Sequence, residues 1–414
     1  MKIPASILSR NYRSMYISLA ILSIFIIIIW ISHIYAGPYA DSAHGNSSYG
    51  VNRSFISSFN YSRGNCAHCH EQHASIGGAE PVPVSGNASE RLLFLSVYSG
   101  QADMFCFQCH QSGSIQTGMP PQYSYSYKWG GDNSLSCPDS IKDSFTFIND
   151  DGTHNPNCGS NTGSSHQLAQ IKNFIRNKWG FVGNSINPCS GCHNTHRAQR
   201  AFYPINVDGT SPISRPSSHA NDWVLWGDDI TERMSSYTSN YQAPYYYNST
   251  LTFEPNGDST SDGSNMPDYV TFCTDCHNPS NDGQISSSQK YSFTGNWQGI
   301  LFNPDWENTS PHGKVSSNMQ PMMINKAPYN TSNINYVLSC TDCHEPHGSP
   351  NGMLIRKEVN GASTVSFTSW SSRDDWFSLC RRCHDPISGH NSGAKGNDPC
   401  YVCHMHNRNW FKPI

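Results

Sequence analysis

Hydrophobic residues follow a regular spacing in only a few segments of the chain. The clearest segment covers residues 164–180, where serines precede the first turn, apolar residues recur every three or four positions and Gly180 stands at the end. This pattern predicts one amphipathic helix, with His166 in its first turn. The apolar positions of its buried face are Leu168, Ile171, Phe174 or Ile175, and Trp179.

Weaker patterns predict a few more short elements. A capping serine followed by an acid predicts a short helix over residues 89–98, residues 223–234 are helical in character, and residues 245–253 have the composition of a strand. Residues 112–163, which are rich in Gly, Ser, Pro, Asn and Tyr, and residues 197–215 are predicted to be loops.

A β-hairpin is predicted near the C-terminal end of the chain. The dipeptide Asn360-Gly361 is a turn signal between residues 354–359 and residues 363–370, both of which suit strands. Taken together, the patterns predict a mostly irregular, coil-rich fold with a few short helices and hairpins. Residues 37–414 are expected to form one body.

The first 36 residues have the pattern of an export signal. Three basic residues precede an uncharged apolar run over about residues 17–34, and a small residue, Ala36, follows it. The run is long enough to span a bilayer, so retention as a membrane anchor is the alternative to cleavage after Ala36. In either case the body of the protein lies outside the cytoplasm, where disulfides persist.

The composition is unusual for a globular protein. Hydrophobic residues make up 36 % of the chain and charged residues only 14 %, against about a quarter charged in typical domains. Such a chain buries little aliphatic core. The net charge of −4 becomes −7 without the first 36 residues, and no basic run argues for nucleic acid as a partner.

Seven C-x-x-C-H motifs use fourteen of the sixteen cysteines. Two thiols at this spacing can each form a thioether to one porphyrin, and the adjacent histidine then becomes an axial ligand of its iron. Zinc sites built from four cysteines consume such doublets in pairs, and neither zinc nor dithiol chemistry requires the histidine. The sequence therefore predicts seven covalently bound haem c groups. Motifs 1 to 7 are Cys66, Cys69 and His70; Cys106, Cys109 and His110; Cys189, Cys192 and His193; Cys273, Cys276 and His277; Cys340, Cys343 and His344; Cys380, Cys383 and His384; and Cys400, Cys403 and His404.

Three of the motifs continue as H-x-x-H, which adds His73, His196 and His347. A histidine three residues after the motif histidine reaches at most ~10 Å from it and projects from the same side of the haem. It therefore cannot bind the opposite face of that iron. We expect each of these histidines to ligate a neighbouring haem.

Eleven histidines outside the motif positions follow the signal, so the supply of second axial ligands exceeds the seven required. We therefore expect bis-histidine, low-spin haems of low potential. His68 lies between two cysteines and is predicted to be structural, whereas His312 is the natural remote candidate for motif 4. The further candidate ligands are His44, His166, His219, His312, His390 and His406.

The folding of so polar a chain is expected to depend on its cofactors, because seven porphyrins would supply apolar surface that the side chains lack. Two cysteines remain outside the motifs, Cys137 and Cys158. In an exported protein a disulfide between them is the simplest interpretation, worth ~3 kcal/mol in loop-closure entropy.

The motifs and their H-x-x-H extensions, over residues 66–404, resemble those of multihaem c-type cytochromes of anaerobic, metal-respiring and syntrophic prokaryotes. The exported body rich in Ser, Asn and Tyr resembles the subunits of extracellular cytochrome filaments. The resemblance implies haems lined up as a wire, head-to-tail contact with other copies of the chain, and a histidine lent by one subunit to a haem of the next. His44, near the mature N-terminus, is the residue that this analogy assigns to that role.

We expect an extracellular, periplasmic or cell-surface electron-transfer protein without enzymatic activity. Its partners would be other copies of itself, redox cytochromes or an extracellular acceptor. One alternative is a multihaem nitrite or hydroxylamine oxidoreductase with an open haem, which the histidine at the end of every motif argues against. Another is a quinol-oxidising cytochrome anchored by an uncleaved N-terminal helix.

Overall fold

The computed structural model describes separate stretches of the chain, which contain six of the seven motifs in whole or in part. The described residues are 37–40, 42–54, 60–70, 93, 105–110, 141–145, 163–178, 186–193, 195–196, 270, 273, 276–277, 312, 324–326, 338–357, 359–360, 368 and 373–385.

Secondary structure in these stretches is short and sparse, as the coil-rich composition predicts. The α-helices are α1 Gly37–Ala40, α2 Ile141–Ser144, α3 Leu168–Lys178 and α4 Arg373–Cys380. The strands are β1 Ser164–Ser165, β2 Ile324–Asn325, β3 Gly348–Ser349 and β4 His384–Asp385. The 3-10 helices are Cys66–His68, Cys106–Gln108, Pro188–Gly191, Cys340–Asp342 and Gly352–Leu354.

The helix predicted over residues 164–180 is present but begins later. It starts at Leu168, because Ser164 and Ser165 form β1 and pair antiparallel with Ser349 and Gly348 of β3. The serines expected to cap the helix therefore belong to a two-stranded sheet. His166 consequently lies in the connection between β1 and α3.

The buried face of α3 agrees with the predicted periodicity. Phe174 and Ile175 are 8 % and 1 % exposed, and they pack with Ile186. Ile171 and Cys276 of motif 4 pack against this cluster. A small apolar core thus lies beside motif 3, which begins at Cys189, shortly after Ile186.

The structure differs from two other predictions at the residues that it describes. Leu93, the one described residue of the helix predicted over residues 89–98, forms an isolated antiparallel bridge with His70. The first predicted hairpin strand begins instead in the 3-10 helix Gly352–Leu354, and Ile355 bridges to His344. Motif 5 competes for the backbone hydrogen bonds that the hairpin would have used.

Helix α4 was not predicted from the sequence. Asp374 and Asp375 occupy its first turn, where carboxylates stabilise a helix N-terminus. Asp375 also accepts hydrogen bonds from the N–H and the hydroxyl of Thr368, at 2.6 and 2.8 Å. These two consecutive aspartates are the sequence signal from which the start of α4 could have been predicted.

Several predicted elements lie outside the described residues. These are the N-terminal segment, the helix over residues 223–234, the strand over residues 245–253, most of the loop over residues 112–163, and the pair Cys137 and Cys158. In the part of the chain that the structure describes, no helix is long and apolar enough to cross a membrane.

A substitution at Gly191 tests the packing of α3 against motif 3. A Cβ at this buried glycine would lie 3.0 Å from the Cγ2 atoms of both Ile171 and Ile175. We expect Gly191→Val to overpack this contact and destabilise the holoprotein by about 1–3 kcal/mol. The neighbouring Ser190→Val, at a partly exposed position, is the control. Equal thermal unfolding midpoints for the two variants would contradict this packing.

Candidate functional site

All six described motifs share one backbone turn. The carbonyl oxygen of the first cysteine accepts the N–H of the second cysteine at 3.0–3.3 Å. In motifs 1 to 5 the same oxygen also accepts the N–H of the histidine, at 2.8–2.9 Å. This short turn brings the two cysteines and the histidine of each motif together within a single turn of backbone.

Side chains cap several of these turns. The amide oxygen of Asn65 accepts the N–H of Ala67 at 2.9 Å, and that of Asn187 accepts the N–H of Cys189 at 2.9 Å. In motif 5, Ser339 and Asp342 form a reciprocal capping box. Local sequence therefore sets the turn independently of distant contacts.

Motif 5 has the most complete protein frame. Arg356 is 2 % exposed, and its guanidinium donates to the carbonyl oxygen of Thr341 at 3.1 Å. The backbone N–H of Arg356 donates to the carbonyl of Cys343 at 2.9 Å, and that of Glu345 donates to the carbonyl of Leu354 at 2.7 Å. The residues after the motif thus fold back on it, and their backbone and side chains form hydrogen bonds with its backbone.

The motif thiols are poor candidates for thiolate chemistry. Burial raises the pKa of Cys69 and Cys192 to about 12 and that of Cys109 to about 11. Dithiol exchange requires thiolates, which such surroundings disfavour. Thioether sulfur does not ionise, so the same surroundings suit covalent attachment of a porphyrin.

Thiols of consecutive motifs interact with one another. Thiol–thiol hydrogen bonds join motif 2 to motif 3 and motif 4 to motif 5, and these contacts raise the pKa of Cys106 and Cys273. Electrostatic interactions between thiols, without a hydrogen bond, also raise pKa values across the other consecutive motifs. The interacting thiols are Cys69 and Cys109, Cys106 and Cys189, Cys192 and Cys273, Cys273 and Cys340, and Cys343 and Cys383.

The histidines form pairs at a nearly constant separation. In each of five pairs a motif histidine faces a histidine from elsewhere in the chain, with ring centres 5.9–6.2 Å apart. A metal held between two imidazole nitrogens at about 2 Å from each would separate the ring centres by about 6 Å. The pairs are His70 with His196, His110 with His44, His193 with His347, His277 with His166, and His384 with His312.

Hydrogen bonds at Nδ1 fix the tautomer of several of these rings. His44 Nδ1 donates to the carbonyl oxygen of Thr195 at 2.7 Å, and His166 Nδ1 donates to that of Pro346. His344 Nδ1 donates to the carbonyl of Met353 at 2.9 Å. Because a carbonyl oxygen only accepts, Nδ1 carries the proton and Nε2 keeps its lone pair. Metal-ligating histidines commonly show this arrangement.

The charge state of the rings also suits metal binding. Burial lowers the pKa of His44, His166, His196 and His344, which favours the neutral imidazole. A neutral ring can ligate iron without first losing a proton. The donor set therefore fits haem iron.

His68 has a different environment. Its Nδ1 accepts the N–H of Arg53 at 3.0 Å, and its Nε2 donates to the carbonyl oxygen of Ser62 at 3.0 Å. Both ring nitrogens are thus used by the backbone, and the side chain is 1 % exposed. This geometry gives His68 a structural role in the fold around motif 1.

Two pairings differ from those that sequence reasoning suggested. His312 faces His384 of motif 6, whereas the sequence had linked it to motif 4, where His166 lies instead. His44 faces His110 of its own chain, although the analogy with filaments had assigned it to a neighbouring subunit. The remaining predicted site residues lie outside the described residues: His73, His219, His390, Cys400, Cys403, His404 and His406.

Residues 337–362 match the model of a protein family described as the doubled CXXCH motif. The matched residues contain motif 5 and its extension to His347. No curated protein and no solved structure matched the chain.

The matched motif indicates covalently bound haem c and a likeness to c-type cytochromes, which makes electron transfer a plausible role. Cytochromes with this motif are typically exported. The other C-x-x-C-H segments repeat the residue pattern of motif 5, and the five described among them repeat its turn from the first cysteine to the second.

Proposed function

We propose that this protein transfers electrons through a connected series of seven haem c groups, haem 1 to haem 7, each on the motif of the same number. The observations that carry the proposal are the thiol–thiol hydrogen bonds that join motif 2 to motif 3 and motif 4 to motif 5, with electrostatic interactions between thiols of the other consecutive motifs up to motif 6. Porphyrins attached to neighbouring thiols lie close to each other. Electrons would therefore pass between haems of consecutive motifs.

The proposed irons are closed to substrates. Two histidine ligands fill both axial positions and favour ferric iron, which suits electron conduction at low potential rather than bond chemistry. We therefore infer a carrier without enzymatic activity, located outside the cytoplasm. An oxidoreductase of the nitrite or hydroxylamine type would need one iron with an open position.

Removal of haem 3 tests the relay. In the wild-type holoprotein, flash photoreduction with less than one electron per molecule should be followed by rapid, concentration-independent redistribution among all haems. The double variant Cys189→Ser/Cys192→Ser should separate haems 1 and 2 from haems 4 to 7. Equilibration between the two groups should then become slow and depend on protein concentration.

The control variant Cys400→Ser/Cys403→Ser removes haem 7 from the end of the series and should leave redistribution among the others fast. Iron and porphyrin content are measured for each protein, and the wild type should contain seven of each. Zinc in place of iron would disprove the cofactor. Concentration-dependent equilibration in the wild type would disprove the relay.

We further propose that copies of the chain join head to tail into filaments, with His73 as the joining ligand. His196 follows motif 3 and faces the histidine of motif 1, and His347 follows motif 5 and faces that of motif 3. Each of these extension histidines thus meets the motif two places earlier. Motif 1 has no such predecessor, and we propose that a second copy of the chain supplies the haem for His73.

Electron microscopy of shed extracellular material tests this assembly. We expect filaments from the wild type and only single subunits from His73→Ala, because the ligand between subunits is lost. The matched control His196→Ala removes an extension histidine that faces its own chain, and filaments should persist. Filaments from His73→Ala, or single subunits from the wild type, would contradict the proposal.

A further inference from the structure

We propose that the five histidine pairs are the axial ligand pairs of five particular haems. The inference rests on the proposed haem relay and assigns ligands within it. His196 would ligate haem 1, His44 haem 2, His347 haem 3, His166 haem 4 and His312 haem 6. Distal ligands would then be exchanged across the chain rather than taken from the residues nearest each motif.

The ring geometry distinguishes a shared iron from simple ring stacking. The distances between ring centres span only 5.9–6.2 Å, whereas the angles between ring planes range from 7° to 87°. Direct contact between rings would link distance to angle, because stacked and edge-on rings approach differently. An iron between the rings fixes the distance and leaves each ring free to rotate about its iron–nitrogen bond.

The composition of the pairs gives a second argument. Each pair contains one motif histidine and one histidine from outside the motif positions, so no pair repeats a motif histidine. A c-type haem needs one ligand of each kind, since the attachment signature supplies only one.

The segment after motif 5 shows how the ligands of different haems are held together. His166 Nδ1 donates to the carbonyl oxygen of Pro346, and His347 Nδ1 donates to Glu345 Oε1 at 2.9 Å. One short peptide thus contacts the proposed distal ligands of haem 3 and haem 4, directly after the histidine of haem 5. Such contacts fix the orientation of ligating rings.

Removal of His166 in two backgrounds tests the assignment to haem 4. In the otherwise wild-type holoprotein, His166→Ala should convert one haem to high-spin, as measured by electron paramagnetic resonance and magnetic circular dichroism. In the background Cys273→Ser/Cys276→Ser, which lacks haem 4, the same substitution should produce no high-spin haem. His312→Ala serves as the matched control and should produce a high-spin haem in both backgrounds.

Each other outcome overturns the assignment. A high-spin haem from His166→Ala in the background without haem 4 would mean that His166 ligates a different iron. No high-spin haem in either background would mean that His166 is not a ligand. Neither result would affect the relay, which is tested by electron redistribution. If the background does not fold, cryo-electron microscopy of the wild-type holoprotein decides whether His166 and His277 share an iron.

We also propose that Glu345 is a positioning residue for His347. The Glu345 side chain is fully buried, and its Oε1 accepts both the backbone N–H and Nδ1–H of His347, at 3.1 and 2.9 Å. These two bonds hold the ring with Nε2 directed away from the carboxyl group. Carboxyl groups in this position orient ligating histidines in metal proteins.

Two substitutions separate this role from packing. Glu345→Leu introduces an apolar side chain of similar volume and removes the acceptor, so one haem should become partly high-spin. Glu345→Gln keeps an acceptor for Nδ1–H, and that haem should remain low-spin. The same high-spin fraction in both variants, or in neither, would contradict the positioning role.

Discussion

The nearly constant distance of about 6 Å between paired imidazole rings is the constraint on which the rest of the structure depends. Each pair joins residues that are far apart in the chain, such as His193 and His347, or His70 and His196. Apolar burial could not hold these segments together in the described residues, where the clearest core cluster is Phe174, Ile175 and Ile186. If these pairs ligate haem iron, as proposed, they stabilise a fold that has few hydrophobic residues to bury.

Local signals explain what the sequence predicts well. The turn of each motif depends on residues no more than four positions apart, and caps such as Asn187 are adjacent to it. The buried face of α3 follows from periodicity alone. The start of α3 does not, because Ser164 and Ser165 pair with β3, which lies about 180 residues further along the chain. No local pattern reports a partner at that distance.

The predictions about the histidine ligands divide in the same way into local and distant parts. The sequence identifies histidines suited to be second ligands, and the reach of three residues shows that His347 cannot bind its own haem from the opposite face. The sequence does not identify which motif each of these histidines faces. Motif 4 has no H-x-x-H extension, which suggested His312 as its remote ligand, yet His312 faces motif 6. Distance along the chain is a poor guide because the connecting loops impose little entropic cost as they lengthen.

The spacer Glu345-Pro346 links the ligand arrangement to the proposed path of electrons. Its two residues contact His347 and His166 through hydrogen bonds, and they follow His344 directly. Pro346 has a fixed φ and no N–H, so the spacer has few alternative conformations. If these three histidines ligate three consecutive haems, one rigid dipeptide sets the relative positions of all three. The length of the H-x-x-H extension is then a determinant of the distance between haems, and hence of the rate at which electrons pass.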